Sequence, residues 1–161
     1  MATLPGVKLA DPQPARPLIA NRAAGRPVLL ATLDVPFDID AVTFAVDSAI
    51  ELGQRLIVAN FVERPPLPLS AMLGYDDLPY TAEMTQALTA PVRLAAGAGV
   101  AVTRLRIKSF HPIAAMIEVS AEEAAGIFVF GPDRGQLPRL RYRRAVRALQ
   151  SGVTGLVWLA Q

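Results

Sequence analysis

Apolar positions in this chain change period several times, and the changes mark out its elements. Residues 26–34 (RPVLLATLD) form a short continuous apolar run closing on Asp34, the pattern of a strand buried on both faces. In the PFDIDAVTFAVDSAIELG that follows, Val42, Ala45, Val46, Ala49 and Ile50 recur at i, i+3, i+4, i+7 and i+8. That is an amphipathic helix, with Asp38 placed to cap its first free amides and Gly53 placed to end it. QRLIVANFVE reads as a second buried strand.

The proline-marked stretch at 64–80 is too long for a tight turn and reads as a functional or partner-covering loop. TAEMTQALTAPVRLAAGAG is helical in pattern, with Pro91 expected to kink or divide it. In VAVTRLRIKS, Val102, Leu105 and Ile107 alternate imperfectly with polar neighbours, as in a strand near a sheet edge. HPIAAMIEVSAEEAAG predicts a helix with Ile113, Met116, Ile117, Ser120 and Ala124 inward; IFVFG predicts a fully buried fourth strand. An arginine-rich helix, with Leu140, Tyr142, Val146 and Leu149 as its apolar cover, and a last strand in TGLVWLA complete the chain. Five strands alternating with four helices specify an α/β fold built on a parallel sheet, with right-handed crossovers placing helices on both faces. Ligands in such sheets bind beyond the carboxyl ends of the strands, where strand order reverses. Asp34 and Gly131, at the ends of the first and fourth strands, are the expected lips of that crevice.

Residues 1–25 carry Pro5, Pro12, Pro14 and Pro17 without any sustained period and read as an extended or mobile N-terminal arm; residues 26–161 form the domain. No run approaches the roughly 18–20 apolar residues needed to span a bilayer, and the N-terminus lacks a signal-peptide core. The chain has no cysteine, which removes thiol catalysis and thiolate metal sites and fits a cytoplasmic protein.

A net charge of +2 conceals an uneven distribution: +3 over residues 1–26, −7 over 27–133 and +6 over 134–147. An acidic body with one basic segment points to a local anion-facing surface. Within that segment Arg139, Arg143 and Arg147 fall at i, i+4 and i+8 and make one basic stripe. Its candidate partners are solvent, an acidic protein or an anionic ligand. Tyr142 alone interleaves the arginines, so a stacking platform for nucleic acid is not supported.

Asp34, Asp38 and Asp40 lack a histidine or fourth ligand and read as helix-start acids, not a metal site. His111, the single histidine, precedes Pro112 at a helix start and has no nucleophile motif with it. No catalytic group is identified, and the expectation is a protein that is not an enzyme. Val157, Trp158 and Leu159 form an apolar last strand; at a sheet edge it must be covered or paired, most simply by a second subunit.

The strand VLLATLD with its terminal Asp34, the block SFHPIAAMIEVSAEEAAGIFVFG, and the tail GPDRGQLPRLRYRRAVRALQSGVTGLVWLA together resemble the universal stress protein family over roughly residues 26–160. The resemblance implies a Rossmann-like five-stranded sheet in the order 3-2-1-4-5 and homodimers paired through their last strands. It also implies a nucleotide crevice in which Asp34 faces the base and ribose side. Nucleotide-binding members carry Gly, two residues, Gly, nine residues, then Gly followed by Ser or Thr. Counted from Gly131, position 134 is Arg, 144 is Arg and 145 is Ala; Gly135 stands one residue late. The motif's glycines let backbone amides approach phosphate, helped by a helix N-terminus. Arg144 either fills that space or reaches an anion itself. The expectation is a non-enzymatic, homodimeric regulatory module that holds no ATP. Its alternative is a nucleotide- or phosphate-binding module using Asp34, Gly131, Arg134, Gly135 and Arg144.

Overall fold

A computed structural model describes residues 25–66 and 82–161. Residues 1–24 of the expected arm and most of the proline-marked loop at 64–80 lie outside the described residues. Within them the order is β1 (Val28–Leu33), α1 (Ile39–Leu52), β2 (Leu56–Glu63), α2 (Ala82–Gly97), β3 (Val102–Ser109), α3 (Pro112–Glu122), β4 (Ile127–Phe130), α4 (Arg139–Gly152) and β5 (Leu156–Leu159). The strands form one parallel sheet in the order β3-β2-β1-β4-β5.

Strand alternation divides the core into two layers. Leu29, Ala31, Leu33, Ile57, Phe61 and Phe128 pack towards α3 and α4, where Met116, Tyr142 and Leu149 meet them. Val28, Leu30, Leu56, Val58 and Val129 face α1 and α2. β1, at the centre, is buried at every position, which its unbroken apolar run requires.

Local signals account for most element ends. Asp38 caps α1, its Oδ1 accepting from the amides of Asp40 and Ala41 at 3.0 Å each; such a cap contributes about 0.5–2 kcal/mol. Gly53 ends the helix at φ 62°, where a side chain would be strained. Pro91 neither divides nor ends α2, which runs through it. A proline interrupts only the hydrogen bond its own nitrogen would make, and neighbouring turns together with packing hold the rest.

Three side chains turn the other way from their expected faces, one of them Ala124, which is exposed at φ 50° just past the end of α3. Ile50 is 48% exposed, and Ser48 takes an inward position on α1. Leu140 is 70% exposed, because the inner stripe of α4 is Tyr142, Ala145 and Leu149 and Leu140 lies about half a turn away from it. Among the described residues no helix is long and apolar enough to cross a membrane.

Candidate functional site

The carboxyl ends of β1 and β4 are tied to each other. Gly131 donates its amide to the Ala31 carbonyl at 3.0 Å and accepts from the Asp38 amide at 2.9 Å. The Asp133 amide bonds the Pro36 carbonyl at 2.8 Å, and Phe37 forms an antiparallel bridge with Pro132. The loop after β1 and the loop after β4 therefore close over the switch point as one unit. Gly131 is required there by packing: a Cβ on it would stand 2.3 Å from the Cβ of Ala41 on α1.

The β4–α4 loop is organised around its own carboxylate. Asp133 Oδ1 accepts from the Gly135 amide at 2.9 Å, and Oδ2 accepts from the Gln136 side-chain amide at 2.9 Å. The Asp133 carbonyl accepts from the amides of Gln136 and Leu137 at 3.1 Å each, and buried Leu137 anchors the turn. This is an Asx turn, the local device by which aspartate satisfies the backbone two residues on.

Of the five candidate ligand residues, Arg134 and Arg144 meet different surroundings. Arg134 lies 3.8 Å from the ring centroid of Tyr142 and donates to the Ala160 carbonyl at 3.4 Å. The Tyr142 hydroxyl bonds the same carbonyl, and its ring stacks on Phe130 at 5.7 Å. Burial pushes the Tyr142 hydroxyl's pKa up, while the Arg134 guanidinium acts the other way. Arg134 thus tethers the chain end after β5.

Arg144 faces a different space, an open cleft of about 510 Å³ between the starts of α3 and α4. Its walls include Glu63, Phe110, His111, Leu140, Arg141 and Arg144. Arg141 Nη2 pairs with Glu63 Oε2 at 2.7 Å, whereas Arg144 has no hydrogen-bond or ion-pair partner among the described residues. α4 begins at Pro138, which offers no side-chain cap to the first-turn amides. His111 is exposed and uncapping, its amide bonded to Ser109 Oγ at 3.0 Å.

Asp34 sits just past β1 with its amide on the Phe61 carbonyl at 3.1 Å. Although much of its surface is open, desolvation of the carboxyl raises its pKa, opposed by the positive charges of Arg106 and Arg141. Neither arginine was distinguishable in the sequence as a neighbour of Asp34. The register carries Arg106 to a position two strands away, and Arg141 lies off the 139–143–147 stripe. That stripe is present on α4, with Arg139, Arg143 and Arg147 all exposed. β5 is a sheet edge, its Val157, Trp158 and Leu159 half-buried and Leu156 57% exposed, with Trp158 stacked on Phe44 at 5.0 Å. Asp38 is taken up by its cap, and among the described residues no three His, Cys, Asp or Glu side chains gather into a cation-holding group.

No protein-family model and no curated protein sequence matches the chain. Solved structures do. The universal stress protein from Archaeoglobus fulgidus in complex with dAMP is 14% identical at a TM-score of 0.58, covering 85% of this chain and 98% of that one. A universal stress protein in complex with cAMP is 17% identical at a TM-score of 0.53, covering 84% and 96%. A member of the universal stress protein family from Burkholderia pseudomallei is 15% identical at 0.55, covering 83% and 94%. With its sheet order and the paired loops at the switch point, the chain has the Rossmann-like fold of the universal stress proteins.

Proposed function

We propose that this domain is a non-enzymatic, cytoplasmic regulatory module of the universal stress protein type, homodimeric through β5, that does not bind ATP. The observation that carries the reading is the occupied β4–α4 loop. A phosphate-holding loop needs free amides pointing at the ligand. Here the Gly131 amide belongs to the sheet and the Gly135 amide to Asp133. A phosphate would have to displace an internal carboxylate of its own charge sign. The unpaired β5 edge supports self-association, since exposed edges are stable only when covered or paired. The test is the nucleotide content of purified protein, released by denaturation and resolved by ion-exchange chromatography. The reading predicts none; a stoichiometric adenine nucleotide would overturn it.

A second reading has its own support in Arg144, which faces the α3–α4 cleft without a partner among the described residues, beside the uncapped start of α4. On that reading the cleft holds a nucleotide or other phosphate-bearing anion, with Arg144 replacing the glycine amides. Arg144→Gly separates the two. Weaker phosphate binding supports the cleft as an anion site, and stronger binding shows that Arg144 was blocking it.

A further inference from the structure

Two helices of this domain carry charge of one sign only. α4 holds five arginines and no acid, whereas α1 holds three acids and no base. Arg141 pairs with Glu63. The side chains of Arg139, Arg143, Arg144 and Arg147 have no hydrogen-bond or ion-pair partner among the described residues. Glu118 and Glu122, exposed on α3 on the same side of the sheet, leave them unpaired. Arginines four residues apart on one helix face repel each other, so this ridge carries a strain that a partner of opposite sign would relieve.

The outer side of α1 is its counterpart. Asp40, Asp47 and Glu51 recur at i, i+7 and i+11, one stripe of a helix, and all three are exposed. None has an ion-pair partner among the described residues. Ile39, 78% exposed, and half-exposed Ile50 flank the stripe. On α4, exposed Leu140 and Ala148 lie among Arg143, Arg144 and Arg147 along an open groove of about 480 Å³. Asp47 and Glu51 stand about 6 Å apart along their helix axis, as do Arg143 and Arg147, so two ion pairs match in one register whichever way the helices run. α1 and α4 cover opposite faces of the sheet, so one chain cannot bring its own two ridges together.

We infer that the arginine ridge of α4 is a docking surface for the acidic ridge of α1 on a second copy of this chain, so that copies stack face to back. Complementary charge sets the pairing, and the contact covers Leu140 of one copy and Ile50 of the next, which otherwise stand in water. The two surfaces differ, so the contact is heterologous: each docked pair leaves one ridge free at either end and goes on adding copies until a ring closes. Exposed ion pairs contribute little individually, so the stack is weak and forms at low ionic strength and high protein concentration. It uses the two faces of the sheet and leaves the β5 edge untouched, so it does not rest on pairing there.

The experiment is sedimentation velocity of the full chain over a concentration series, at about 0.02 M and about 0.5 M salt. Mass should grow with concentration at the lower salt, with association at least about tenfold weaker at the higher. Two charge-reversed chains, Arg143→Glu with Arg147→Glu and Asp47→Lys with Glu51→Lys, should each stay at low salt as the parent is at high salt. All four positions are exposed, so both chains should keep the parent's circular dichroism. Mixed, the two should associate again, since the intact α1 of the first meets the intact α4 of the second and the reversed ridges match each other. Recovery on mixing also separates a lost contact from a folding defect. The inference is overturned if the parent's mass ignores salt and concentration, if either reversed chain associates as the parent does, or if the mixture stays apart. It is equally overturned if the parent does not self-associate but binds heparin through α4, which would give the ridge to a different polyanion.

Discussion

Gly131 offers the sharpest test of what the switch-point loop is built for. Replacing it with alanine adds a methyl 2.3 Å from the Ala41 Cβ and 3.3 Å from the Leu30 Cδ1. Carbon atoms rest at about 3.5–4.0 Å, so the first contact is deep in the repulsive range. Ala41 and Leu30 are fully buried, and the Ala41 amide is held by the Asp38 cap at 3.0 Å. Relief therefore requires α1 to move off the sheet. Overpacking of this kind typically costs about 1–3 kcal/mol. For a chain of this length each kcal/mol is worth roughly 2–4 °C in Tm. Ala41→Gly alone should cost about 1 kcal/mol in helix propensity and about 0.8 kcal/mol for the lost methyl burial. In the double variant the clash is gone, so its loss should fall short of the summed single losses by more than about 1 kcal/mol. Urea unfolding followed by circular dichroism, at one fixed protein concentration because association adds to stability, reads all four proteins. A neutral Gly131→Ala, or single losses that simply add, would refute the packing account and return Gly131 to a ligand-facing role.

Asp133→Ala releases the Gly135 amide and the Gln136 side chain; it should lower stability by about 0.5–1.5 kcal/mol and raise affinity for inorganic phosphate, measured by competition with a fluorescent anion. Asp38→Ala removes the α1 cap and should cost about 0.5–2 kcal/mol in urea unfolding, with the sheet unchanged by circular dichroism. Asp34 has a folded-state pKa raised by desolvation, so the folded chain binds its proton more tightly than the unfolded chain does. Its contribution is present at low pH and lost as pH rises through the folded value. Asp34→Asn should therefore be more stable than the parent at neutral pH, and the gap should close below the ordinary carboxylate range. A gap that widens on acidification would reverse the assignment. Leu159→Asp places charge on the β5 edge and should shift sedimentation from dimer to monomer if subunits pair there.

The fold was legible because its signals are local and agree with one another. The unbroken apolar run of β1, the 3.6-residue period of α1 and its Asp38 and Gly53 ends each specify their own conformation. The site was harder to read, because it depends on register and helical phase. Arg134 and Arg144 look alike in the sequence, yet one stacks on Tyr142 and the other faces the α3–α4 cleft. Arg106 meets the field of Asp34 only because β3 pairs with β2 in a register that brings its end alongside. Leu140 was misplaced because an arginine-rich helix offers few apolar residues from which to fix the phase of its inner stripe. Asn60 was visible throughout as a polar residue in QRLIVANFVE, but only the packed sheet shows that both of its side-chain polar atoms are buried without a partner among the described residues. The Asp133–Gly135 spacing carried the signature of an Asx turn, overshadowed by the question of where the glycines fall.

Calorimetric titration of the purified protein with ATP and magnesium, at two salt concentrations, addresses the central claim most directly. A loop whose amides are held by the sheet and by Asp133 predicts no saturable heat at either. A saturable isotherm with one ATP per chain would contradict it and assign the phosphates to the arginines of α4.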